Sequence, residues 1–100
     1  MIYTEDQIRN AALKALLAAP GHTQTTSQLI DILSRSLSPT GRDAQIAKNR
    51  SDTYFSQKIR NLVSHRNQST GLQARGLADY DPINESWTLT KLGRRHAANL

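Results

Sequence analysis

One hundred residues make room for one compact domain and exclude two. With 37% hydrophobic and 5% aromatic residues, the chain can fill a modest core and has few rings left to line a large ligand pocket. It carries a net charge of +5, has no cysteine for disulfides or thiolate metal sites, and shows no run near the roughly 18 apolar residues of a membrane span.

Thr4 opens the first predicted helix. In "TEDQ" the Thr4 hydroxyl can cap free backbone donors while Gln7 reaches back, the spacing of a capping box. Glu5 and Asp6 suit the positive end of the helix dipole. Ile8, Ala12, Ala15, Leu16 and Ala19 recur at helical spacing, and Leu13 and Leu17 widen the stripe. Pro20 and Gly21 in "PGHT" end it. The second helix is "TTSQLIDILSRSL", where Thr25 and Gln28 repeat the capping-box spacing. Leu29, Ile30, Leu33 and Leu37, joined by Ile32, supply its buried side. Pro39 and Gly41 mark the turn that follows. From there to Arg50 the chain reads as a long basic connection, with one helical turn expected over Ala44 to Ala47.

The third helix, "SDTYFSQKIRNLVSHR", begins near Ser51 or Asp52 and runs to about Asn67. At about 100° per residue, Phe55, Ile59, Leu62 and Val63 gather on one side and must face the core. Thr53, Gln57, Arg60, Asn61 and Ser64 lie opposite, flanked by Tyr54, Lys58 and His65. Arg66 falls on the apolar side, where its stem can pack while its head reaches water. After the connection "NQSTGLQARG" the period changes. Leu77–Tyr80 and Ser86–Thr90 read as two strands joined by "DPINE", with Trp87 and Leu77 expected to lean on the helices. Thr90 then caps a short last helix, "KLGRRHAANL", which Gly93 should weaken. The order helix, helix, helix, hairpin, helix predicts a mostly α, α+β fold over residues 1–100. It has the outline of a winged helix-turn-helix, with three helices, a two-stranded wing and a short C-terminal helix.

The positive charge is confined to the middle of this outline. Residues 1–34 carry a net of −1 and residues 76–100 a net of zero, whereas residues 35–75 hold eight cations against two acids. A localised basic segment is the footprint of a nucleic-acid binder. The third-helix face has the matching chemistry. Arginine reads guanine in the major groove, asparagine or glutamine reads adenine, and a threonine methyl packs on the thymine methyl. Thr53, Gln57, Arg60, Asn61 and Ser64 are therefore the candidate base-reading residues. Asp52, the one acid of the helix, sits at its start, where it caps. Arg42, Lys48 and Arg50 precede the helix, where the dipole also favours an anion, and are candidate phosphate contacts. Lys58, Arg75, Lys91, Arg94 and Arg95 join them. The wing tip is acidic and lacks arginine, which leaves the wing a packing role or a contact through Asn84.

Catalytic patterns are missing. There is no GxSxG, P-loop, HExxH or GxGxxG, and His22, His65 and His96 lack metal-ligand spacing. Asp79, Asp81 and Glu85 supply the carboxylates a cation-dependent nuclease needs, but no lysine or histidine partner is spaced near them, and a solvated hairpin turn is the reading preferred. Tyr54 is the one ring near the face that could stack on a flipped base, and it is not expected to do so. No cofactor or metal is implied. The lack of cysteine fits a reducing cytoplasm, and "MIYTEDQIRN" lacks a signal-peptide pattern, so the expected location is cytoplasmic.

From about Ile8 to Ala97 the chain resembles the N-terminal winged-helix domain of the Mrr family of modification-dependent restriction endonucleases. The matching pieces are "ALKALLAAPGHTQTTSQLIDILS", "LSPTGRDAQIAKNRSDTYFSQKIRNLVSH", "GLADYD" and "WTLTKLGRRHA". "SPTGR" stands where that family has a "PSGR"-like connector, and "GLA…LTKLGR" stands where it has "GLL…ITxxGR". The resemblance implies a non-catalytic recognition module for double-stranded DNA. Such a module delivers a nuclease domain outside this chain to its site, with the helix from Ser51 to Arg66 as the reader. The chain departs from the family in the extra "NQSTGLQA" and in lacking a catalytic domain. It is therefore expected to be either the N-terminal part of a longer enzyme or a free-standing binder. Two alternatives keep the fold: a small winged-helix transcription regulator, and a protein-interaction domain whose third helix binds an acidic partner.

Overall fold

The computed structural model describes residues 3–37 and 54–100. Within them the chain forms helix α1 (Glu5–Ala18), strand β1 (Thr23–Thr25) and helix α2 (Thr26–Leu37). Helix α3 (Tyr54–Ser64), strands β2 (Ala78–Asp81) and β3 (Ser86–Leu89), and helix α4 (Lys91–Ala98) follow. The fold is α+β and mostly helical, with the strands in one antiparallel sheet of order β1-β3-β2.

Helices α1, α2 and α4 start where side chains can satisfy the orphan backbone donors of a first turn. The Thr4 hydroxyl accepts from the Gln7 backbone N–H at 3.1 Å, and Gln7 Oε1 accepts from the Thr4 N–H at 2.8 Å. Thr25 and Gln28 make the same reciprocal pair at 3.1 and 2.9 Å. Thr90 Oγ1 accepts from the Gly93 N–H at 2.9 Å and donates to the carbonyls of Gly76 and Leu77. All three caps follow from local sequence.

The core follows the predicted stripes in part, with Ile30, Ile32 and Leu37 of α2 only half-buried. Ile8, Ala12, Leu13, Leu16 and Ala19 of the first helix and its cap, Leu29 and Leu33 of α2, and Phe55, Ile59 and Leu62 of α3 are buried. Val63 packs on the edge of this cluster. Trp87 is fully buried and Leu77 nearly so, so the hairpin does lean on the helices. Tyr80 lies across from Trp87 in the β2–β3 register, with ring centroids 5.1 Å apart.

Four features depart from the sequence reading. The hairpin acquires a third strand, because Thr23–Thr25 pairs with the free edge of β3 in the register Thr23↔Thr88, Gln24↔Trp87, Thr25↔Ser86. Three residues are too few to show a two-residue period, so nothing local announces this strand. The third helix ends at Ser64 rather than near Asn67, since the chain tightens into turns from His65 onward. The connection after it is not merely a linker: Leu72 is buried in the core, and Gln73 Oε1 accepts from the Tyr80 N–H at 3.0 Å, bracing the loop against β2. Finally, Gly93 is buried where a Cβ would overlap the Leu77 carbonyl, so it is a contact point between α4 and the sheet entry rather than a flaw in the helix. The helical turn expected over Ala44 to Ala47 and the start of the third helix at Ser51 or Asp52 lie outside the described residues.

Candidate nucleic-acid interface

Helix α3 rests on α1 and α2 through Phe55, Ile59 and Leu62, and its sequence from Tyr54 to Ser64 contains no carboxylate. Of the predicted base-reading residues, Arg60 and Ser64 are exposed, and Gln57 and Asn61 are half-buried. None of these four enters the core. Thr53 lies outside the described residues, as do the phosphate candidates Arg42, Lys48 and Arg50.

The remaining cations divide by position. Lys58 is half-buried, and its ammonium donates to the Tyr3 carbonyl at 2.8 Å, tying α3 to the start of α1. Arg75 is exposed in the loop after α3. Lys91, Arg94 and Arg95 are exposed on α4, a helix that packs on α1 and β3. Helix α3 packs on α2 and α1, and α4 on α1 and β3.

His65, which the sequence placed beside the face, and Arg66, which it placed on the apolar side, hold the end of α3 in position. His65 Nδ1 lies 2.6 Å from Glu5 Oε1, joining the end of α3 to the first turn of α1. Arg66 donates to the Val63 carbonyl at 2.7 Å, and its guanidinium lies 5.2 Å from the centroid of the Tyr80 ring. A guanidinium over a ring face is attracted by the ring quadrupole. This contact connects the C-terminal end of α3 to the hairpin.

Where α3, α2 and the hairpin meet there is a shallow depression of about 190 Å³ lined by Thr26, Arg60, Val63, Ser64, Tyr80 and Glu85. The sequence named Arg60 and Ser64 for this surface and missed Thr26, Tyr80 and Glu85. No signal along the chain brings α2 and the hairpin to α3. Glu85 adopts φ 51°, a left-handed conformation uncommon for a residue with a Cβ. Its carbonyl accepts from the Thr26 N–H at 2.9 Å, satisfying a donor at the start of α2.

The hairpin tip is ordered by Asp81. Its carboxylate accepts from the Asn84 side-chain amide at 2.7 Å and from the Ile83 N–H at 2.9 Å. The Asn84 side chain first, and then the Ile83 N–H, hold the Asp81 carboxyl below its ordinary 3.8. Asn84, the wing residue expected to be able to reach a ligand, is therefore engaged within its own turn. Ile83 beside it is exposed.

A larger groove of about 620 Å³ runs between α1 and α2, with Ala11, Ala15, Leu33 and Leu37 in its walls and Lys14 the one cation among its described lining residues. Tyr3, Gln7, Asn10 and Ser36 also line it, and among its described lining residues there is no histidine or carboxylate for acid–base chemistry. Among the described residues no three histidine, aspartate or glutamate side chains are placed to share a metal ion, and no helix is long and apolar enough to cross a membrane. Compared with protein-family models, curated proteins and solved structures, the chain matches none of them.

Proposed function

We propose that the chain is a winged helix-turn-helix domain that binds double-stranded DNA through α3 and performs no chemistry itself. The element order and the β1-β3-β2 sheet are compatible with that fold. The observation that carries the reading is the two-sidedness of α3. One side is buried on α1 and α2, and the other presents Gln57, Arg60, Asn61 and Ser64 with no acid on the helix itself. In the groove, Arg60 would meet guanine, and Gln57 or Asn61 adenine. Arg42, Lys48 and Arg50 would meet phosphates beside the helix start. The resemblance to the Mrr recognition domain adds the role of such a domain, which is to bring a nuclease outside this chain to its site.

Titration with duplex DNA at several salt concentrations tests this. The affinity should fall steeply and linearly on a log–log salt plot, because each neutralised phosphate releases counterions. Arg60→Ala should weaken binding and relax the preference at one base pair, whereas Lys48→Ala should weaken all sequences alike and lower the salt slope by about one. Absence of binding at low salt would reject DNA as the ligand and turn attention to an acidic protein partner.

A further inference from the structure

The carboxylate of Glu85 stands where a phosphate-binding surface should have none. Glu85 lines the same depression as Arg60 and Ser64, it is exposed, and among the described residues its carboxylate has no hydrogen-bond or ion-pair partner. Its backbone is pinned by the bond from its carbonyl to the Thr26 N–H, so the side chain springs from a fixed root. That bond would be made by any residue, and at φ 51° glycine or asparagine would fit with less strain. Neither the turn nor the cap of α2 therefore calls for a glutamate. A strained backbone position that carries a chemically ill-suited residue points to a role for its side chain.

We propose that Glu85 and Arg60 together read one G·C step, the guanidinium taking guanine and the carboxylate accepting from the cytosine amino group. Guanine offers the O6 and N7 acceptors in the major groove, and the only major-groove hydrogen-bonding group of cytosine is its N4 amino donor. A fork of donors beside an acceptor is the complement of that pattern. It is a poor match to an A·T pair, whose thymine presents an acceptor and a methyl group. The same carboxylate repels phosphate, so the depression penalises a misregistered complex in which backbone rather than base edges fills it. Glu85 is thus a specificity-determining residue contributed by the hairpin. This assignment presupposes that α3 meets duplex DNA, as proposed above.

Binding-site selection from randomised duplexes with the full chain, followed by dissociation constants for each single base-pair change at fixed salt, tests it. The wild-type chain should enrich a G·C pair whose replacement weakens binding about 5- to 150-fold. Glu85→Gln should shrink the penalty for replacing that G·C pair, leaving the part carried by Arg60 and guanine, and leave the preferences elsewhere unchanged. Glu85→Asn, which suits the left-handed backbone, should behave alike and show that misfolding is not the cause. Uniformly tighter binding of both variants, with all base preferences retained, would reduce Glu85 to a repulsive charge and overturn the assignment. Salt-dependent binding with no enriched pair overturns it too, while leaving DNA binding intact. Failure of the wild-type chain to bind any duplex removes the DNA reading itself.

Discussion

At Asp81 a single side chain organises the hairpin tip. The bonds from Asn84 and Ile83 favour the ionised carboxylate, so its folded value lies below the ordinary 3.8. A depressed carboxyl contributes stability that is present above the unfolded value and lost as pH falls through the folded one. Asp81→Ala should therefore lower the melting temperature near neutral pH, and the gap to wild type should narrow as pH falls below 3.8, followed by thermal unfolding in a pH series. Glu85 shows the opposite case, a residue kept against local preference. Glu85→Asn should raise stability by about 0.5 kcal/mol, because asparagine tolerates the left-handed backbone better. Denaturant titration measures that gain, and loss of base preference in the same variant would mark a trade of stability for recognition.

At the scale of elements, helix propensity and tertiary contact give opposite signs for Gly93. Propensity alone makes alanine better in a helix by about 0.8–1 kcal/mol. The Leu77 carbonyl occupies the place of the new Cβ, so Gly93→Ala should instead destabilise by about 1–3 kcal/mol, as overpacked sites do. An increase in stability would show that α4 can slide on the sheet entry. The caps of α1 and α2 are local and reciprocal, and Thr4→Ala and Thr25→Ala should each cost about 1 kcal/mol. The two sit on different helices with no shared partner, so their effects should add. Urea denaturation of the single and double variants checks both the size and the sum.

Across the whole molecule, packing decides which cations can serve one ligand. Helix α3 lies on α1 and α2, whereas α4 lies on α1 and β3. If duplex DNA lies along α3, replacing Lys48 and Arg50 by alanine should lower the salt slope by about two. Replacing Arg94 and Arg95 should leave it unchanged. An equal drop for both pairs, measured on one duplex, would place α4 against the DNA backbone and restore the wider footprint expected from composition.

Much of the molecule was legible in the order of its residues. Capping boxes, apolar stripes and turn residues are short-range patterns, and short-range physics builds the helices and the hairpin from them. The two-sidedness of α3 belongs to the same class, since a period of 3.6 residues sorts Ile59 from Arg60 before any neighbour is known. What needed the tertiary structure was every feature made by strangers in the chain. Strand β1 exists only because β3 has a free edge, Leu72 is core only because the loop folds back, and Gly93 is required only because Leu77 lies against it. That Glu85 and Arg60 line one depression is of that kind as well. Contacts between distant segments depend on how whole elements pack, and no local period encodes them.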